Sequence, residues 1–140
     1  MADIKHGGAA GGVAASLHTL INARLVNGID YFLEATGFGN ELKKADIVIT
    51  GEGSIDEQTL QGKGPLGVAK RAKEFSLPVI AFAGRVTIAP GQSSQQYFDR
   101  FISINENTDD VEAAMKNTYT NLEKAAHQLG DSLFLSHVQN

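Results

Sequence analysis

The sequence predicts an α/β protein built on a parallel sheet, in three layers, α/β/α. Short apolar, partly β-branched runs at 46–50, 76–84 and 100–104 read as strands, the first two buried on both faces. Stretches of helical periodicity at 65–75 and 109–133 lie between and after them. An order of strand, helix, strand, loop, strand, helix belongs to parallel strands joined by right-handed crossovers. At 140 residues the chain is one domain's worth, long enough to bury a core.

Taken in order, residues 9–25 are rich in alanine, with Val13, Leu17, Leu20, Ile21 and Leu25 on one helical face. The run "HGGAAGG" leads into this helix. Its glycines serve either turn geometry and packing or the approach of an anion to a helix N-terminus. Asn27-Gly28 reads as the stop signal of the helix. "IDYFLEATG" gives a short helix ending at Gly37, and "NELKKA" another turn or two. The strand 46–50 then opens into a glycine-rich loop, "TGEGSIDEQTLQGKG". Beyond it Pro65 suits a first helical turn, with Leu66, Val68, Ala69, Ala72 and Phe75 inward and Lys70, Arg71, Lys73 and Glu74 on a solvated face. Gly84 closes the second strand. The last helix places Val111, Met115, Leu122, Ala126, Leu129 and Leu133 at helical spacings, with Thr108 or Asp109 as N-cap. No pattern decides the conformation of the tail "FLSHVQN".

The net charge of −4 and a pI near 5.5 argue against a nucleic-acid partner, which needs a clustered basic face. The chain has no cysteine, which excludes a disulfide scaffold, a thiolate nucleophile and a cysteine-ligated zinc, and fits a reducing cytoplasm. No apolar run approaches the roughly 18–20 residues of a membrane span. "MADIKHGGAAGG" lacks the layout of a signal peptide. A cytoplasmic globular protein without nucleic-acid or membrane partners is expected.

Ligands of parallel sheets gather beyond the strand carboxyl ends, where Thr50-Gly51-Glu52-Gly53 and Ala83-Gly84-Arg85 fall. A Walker A loop is absent, because Glu57 and Gly64 stand where a glycine and a hydroxyl residue are needed. Asp56 breaks a dinucleotide fingerprint starting at Gly51, and "GEGSID" is not a nucleophile elbow. What remains is Glu52, Asp56, Glu57 and Lys63. Phosphoryl transfer needs carboxylates to hold Mg²⁺, one of them to orient a hydroxyl, and cations or bare amides for phosphate charge. Glu52 lies between glycines and projects from the strand end, Asp56 follows the anchoring Ile55, and Lys63 sits between Gly62 and Gly64. Glu57 is read as a helix cap. His6, His18, His127 and His137 show no metal-ligand spacing and are read as surface or capping residues.

The stretch "ADIVITGEGSIDEQTLQGKGPLGVAKRAKEFSLPVIAFAG" closely resembles the signature region of the bacterial type-1 glycerate kinases. Their T-G-E-G-x-[IL]-D-x-Q-[ST]-x-x-G-K-x-P-x-G-V-A pattern is met at every fixed position, from Thr50 through Asp56, Gln58, Thr59, Gly62 and Lys63 to Ala69. "HGGAAGGVAASL" is similar to their G-A-G-A-A-G-G stretch, with departures at His6 and Gly8. "LVNGIDYFLEATGF" and "PVIAFAG" also match. The resemblance implies ATP-dependent, Mg²⁺-assisted phosphorylation of D-glycerate to a phosphoglycerate, in the cytoplasm, in glyoxylate and sugar-acid breakdown. Family members are much longer, and their N-terminal P-D-S-F-K segment has no counterpart in this sequence. Residues 1–140 are therefore expected to be a single α/β region, a truncated C-terminal third of the kinase fold. The expected partners are D-glycerate and either the missing N-terminal part or a second copy of the chain.

Within that frame Glu52 and Asp56 are the expected acids facing the substrate hydroxyl or Mg²⁺, with Asp56 the base. Lys63 and the backbone of Gly7, Gly8, Gly11 and Gly12 would contact phosphate or the glycerate carboxylate. Gly51, Gly53 and Gly62 would line the substrate, and Gln58 and Thr59 would donate supporting hydrogen bonds. The competing expectation is a non-catalytic module that binds a hydroxy acid or phosphate, or an oligomerising remnant.

Overall fold

The computed structural model describes residues 4, 6–57, 59, 64–88, 96–105 and 110–138. The chain divides into two compact units, Met1–Glu41 and Leu42–Asn140.

In the first unit a 3-10 turn, Ala9–Gly12, runs into α1 (Val13–Ile21). Gly11 and Gly12 take positive φ, 66° and 95°, and a Cβ there would meet open space. Backbone conformation, not crowding, asks for glycine. α1 stops short of Leu25, because Asn22 turns left-handed (φ 54°) and its N–H bonds the Leu17 carbonyl. His18 Nδ1 lies 2.9 Å from the Ala23 carbonyl, which can only accept, so Nδ1 carries the proton. Asn27 starts a helix rather than stopping one. Its Oδ1 accepts from Ile29 N and Asp30 N at 3.1 and 3.2 Å, capping α2 (Gly28–Ala35). Asparagine suits both ends of a helix, which is why the sequence misleads here. α3 spans Phe38–Leu42. The apolar stripe of α1 exists but lies exposed, Leu20 by 80%.

The second unit holds a parallel sheet in the order β1 (Val48–Ile55), β2 (Val79–Val86), β3 (Arg100–Ser103). The first two strands run beyond the expected stops at Thr50 and Gly84. Residues read as a loop, Gly51 to Ile55, pair with Phe82 to Val86. Glycine makes this possible: a Cβ on Gly84 would stand 2.6 Å from the Gly53 carbonyl oxygen, and one on Gly51 3.0 Å from that of Phe82. β1 is also not buried on both faces. It forms an edge of the sheet, and Ile49 is 56% exposed.

β2 occupies the middle, and Val79 to Ala83 are all buried. Ile80 and Phe82 pack with Ala125 and Leu129 of α6 (Thr118–Val138), flanked by Ile47, Ile102 and Ile104. Alternation turns Val79, Ala81 and Ala83 to the opposite face. There α4 (Gly64–Lys73) lies against β1 and β2, burying Leu66, Ala69 and Ala72. The result is the expected three layers, each large buried side chain contributing about 1.5–3 kcal/mol. The expected last helix is two helices. α5 (Val111–Lys116) is capped by Asp110, whose Oδ1 accepts from Ala113 N at 3.0 Å, and a kink at Asn117 (φ −97°, ψ 7°) precedes α6. α6 runs on through most of the unassigned tail to Val138, while Thr108 and Asp109 lie outside the described residues.

The basic run of α4 is more than a solvated face. Lys70 stands 5.5 Å from the Tyr97 ring centre, and Lys73 Nζ is 2.6 Å from Asp99 Oδ2. The same oxygen accepts from Val79 N at 2.6 Å, tying the end of α4 to the start of β2. Burial pushes the Asp99 carboxyl up, but the Lys73 ammonium and the Val79 N–H outweigh it and hold it below its usual 3.8. A carboxyl depressed on folding stabilises the fold above its unfolded value and ceases to as pH falls through the folded one. Thermal unfolding of wild type is therefore expected to lose this contribution below pH 3.8, and Asp99→Asn to lack that part of the acid dependence. Because the Asp99 side chain is half exposed, the effect is small.

Candidate active site

The carboxyl ends of β1 and β2 open on a cleft of about 1380 Å³. Gly51, Glu52, Gly53, Gly84 and Arg85 line it, with α5 and the start of α6 on the far side. Glu52 does not project from a loop. It sits within β1 opposite Ala83, exposed, its place fixed by the ladder rather than by a flexible turn. Gly53 differs from its neighbours: a Cβ there meets nothing within 4 Å, so its bareness leaves room in the cleft rather than room for packing.

Asp56 is the first residue beyond β1. Its Oδ1 accepts from Thr59 N at 2.9 Å and from the Thr59 hydroxyl at 3.1 Å, while Asp56 N donates back to Thr59 Oγ1 at 3.3 Å. This is the reciprocal logic of a capping box. Thr59 is fully buried, and Oγ1 also lies 3.2 Å from the Ser54 carbonyl, so one hydroxyl proton is shared between two acceptors. The carboxylate expected as base is thus held by a buried threonine, with Oδ1 committed to that role.

Gly51, Glu52 and Gly53 line the cleft, whereas Asp56 lies just past the end of β1 in contact with Thr59, and neither of these two is among the cleft-lining residues. Gln58, Gly62 and Lys63 lie outside the described residues. Gly7, Gly8, Gly11 and Gly12 belong to the first unit. There Gly7 is buried, its N–H on the Ile4 carbonyl (2.8 Å) and its own carbonyl accepting from Ala15 N (3.3 Å). Gly12 caps α1 with no side-chain hydrogen bond. Among the described residues no three His, Asp or Glu side chains could share a metal ion. A contribution of one or two carboxylates is what Mg²⁺ usually draws from protein when substrate phosphates complete its shell. Glu52 and Asp56 are donors of that type.

Asn105 and Asn121 escaped the sequence reading, and Arg85 was placed at a strand end without a role. Asn105 Nδ2 donates to the Gly84 carbonyl at 3.0 Å, and Asn121 Nδ2 donates to Asn105 Oδ1 at 2.8 Å, bracing the end of β2 against α6. Arg85 lies opposite Ser54 on the extended part of β2. Asn105 and Arg85 each follow a predicted strand at its carboxyl end, and that position was the available signal for these two.

A parallel α/β sheet with acids, a guanidinium and bare glycines gathered at its carboxyl end has the layout of an enzyme acting on a small ligand. The chain belongs to the glycerate kinase family, whose model matches residues 1–133. It is 41% identical over 140 residues to a glycerate kinase of Halalkalibacterium halodurans, covering all of this chain and 34% of that protein. Against the glycerate kinase of Bacillus subtilis it is 40% identical over 134 residues, covering 96% of this chain and 35% of the relative. Against the glycerate 2-kinase of Escherichia coli the figures are 34% over 131 residues, 94% and 34%. A crystal structure of a Salmonella typhimurium LT2 protein assigned as glycerate kinase 2 superposes with a TM-score of 0.69 at 37% identity, covering 94% of this chain and 33% of that one. The chain spans about a third of the length of the relatives it matches.

Proposed function

We propose that this chain is the C-terminal part of a kinase that transfers a phosphoryl group from ATP to D-glycerate, giving a phosphoglycerate. The observation that carries the reading is the TGEG block folded into the carboxyl end of a parallel sheet, with Glu52 on the strand and Asp56 locked just past it. Asp56 takes the substrate hydroxyl proton, Glu52 faces the same region, and the glycines leave backbone open to anionic oxygens. Mg²⁺ bound with ATP would neutralise phosphate charge. Lys63, Gly62 and Gln58 of the same block complete the proposed phosphate contacts. The reading includes a cytoplasmic setting, which a cysteine-free chain fits.

The rest of the site is proposed to come from residues outside this sequence. Val111, Met115 (73% exposed) and Leu122 present apolar surface beside the cleft, and among the described residues β1 has an unpaired edge, as expected where more of the kinase packs. In a coupled assay with ATP and D-glycerate, the 140-residue chain alone is expected to be silent. Adding a polypeptide that carries the remaining part of a relative should restore turnover. Turnover by the chain alone overturns the shared site, and no recovery with the added part counts against the kinase reading. The same apolar surface and open edge favour self-association as a second reading, which light scattering of a monodisperse monomer would exclude.

A further inference from the structure

Past its five buried residues, β2 continues as Gly84-Arg85-Val86, with Arg85 opposite Ser54 just as Ala83 is opposite Glu52. Paired residues of a parallel ladder share a face, and so do residues two apart on one strand. Glu52 and Arg85 therefore stand diagonally at the carboxyl end of the sheet, on the face that Ala83 shares with α4 and opposite the face covered by α6. Both are exposed and both are among the residues that line the cleft. Opposite charges so placed ordinarily neutralise each other. Among the described residues, however, Glu52 and Arg85 form no ion pair, and neither side chain has a hydrogen-bond partner.

We infer that Arg85 is a specificity-determining residue of this site, holding the carboxylate of a small hydroxy acid whose hydroxyl group donates to Glu52. The inference rests on the kinase reading above and assigns its substrate-recognising cation. A guanidinium only donates hydrogen bonds, and an ionised carboxylate only accepts them. A ligand joining the two must offer an anionic acceptor at one end and a hydroxyl donor at the other. A hydroxy acid does so; a neutral polyol lacks the first. A phosphate chain in the same place meets the like charge of Glu52. The guanidinium fork also matches a carboxylate with two parallel hydrogen bonds, which an ammonium cannot. Arg85 is carried by a strand rather than a loop, and the Asn121–Asn105 relay onto the Gly84 carbonyl steadies the residue before it.

The test is an amide NMR titration of the 140-residue chain with D-glycerate, glycerol or inorganic phosphate, as wild type, Arg85→Gln and Arg85→Lys. D-glycerate is expected to shift the amides of Gly51, Gly53 and Gly84, and glycerol to shift none. Arg85→Gln should weaken glycerate binding about tenfold or more, with Arg85→Lys in between. Unshifted resonances elsewhere report that each variant keeps the fold. The proposal is overturned if Arg85→Gln binds glycerate like wild type, if wild type does not bind it, or if glycerol binds as well. Dependence on Arg85 for phosphate but not for glycerate overturns it too. If glycerate binds through Arg85 but no phosphoryl transfer follows once the remaining part is added, the kinase reading fails and this assignment stands.

Discussion

Gly84→Ala is expected to destabilise the second unit by roughly 3 kcal/mol, because the new Cβ stands 2.6 Å from the Gly53 carbonyl oxygen. Real Cβ atoms do not come so close, and the atom in the way is backbone, so no flexible side chain can yield. The ladder between β1 and β2 has to part. Gly53→Ala is the control on the other side of the same contact, since its Cβ meets nothing within 4 Å. It should stay within about 0.5 kcal/mol of wild type, as surface changes usually do. Urea unfolding reads both midpoints. Equal midpoints for the two variants would mean the strands do not lie as close as the register requires.

The second large effect separates two jobs of one carboxylate. Asp56→Ala strips the acceptor from Thr59 N and its hydroxyl in a buried setting, which costs about 1–3 kcal/mol. Asp56→Asn keeps an Oδ1 able to accept from Thr59 N and should hold nearly wild-type stability. If Asp56 is the base proposed above, both variants are expected to lower kcat by about 10²–10⁴-fold once the remaining part is added, the usual worth of a positioned base. Denaturation of the chain and turnover with the remaining part measure the two quantities separately. Full kcat in Asp56→Asn would confine Asp56 to holding the turn and move the base elsewhere.

The layers were legible because the central strand and its covering helices follow simple rules. Val79 to Ala83 is a continuous apolar run, and Ala69, Ala72 and Leu129 are buried as their helical spacing suggests, although Ala125 takes the core position read for Ala126, which is exposed. The extent of β1 was not legible. Gly51, Glu52 and Gly53 have the composition of a loop, and only the partner strand reveals that missing side chains allow the close pairing. Likewise the burial of β1 was overestimated, since the apolar character of Ile49 does not say whether this chain covers it. Of the acids read as site candidates, Glu52 stands out by its flanking glycines and Asp56 by its place after the apolar Ile55. The lock of Thr59 on Asp56 and the relay from Asn121 through Asn105 could not be picked out, because they depend on where short polar side chains meet after folding.

The sheet order has a consequence for how the chain acquires its shape. β1, β2 and β3 lie side by side in the order in which they occur along the chain, so neither ladder waits for a distant segment. The loops closed in forming them are those through α4 and from β2 to β3, and their entropic cost grows only slowly with length. The backbone of all three strands is present by residue 103, but the face of Ile80 and Phe82 is covered only once α6 supplies Ala125 and Leu129. Among the described residues β1 pairs on one side alone, so the ladder with β2 is the one that fixes its register.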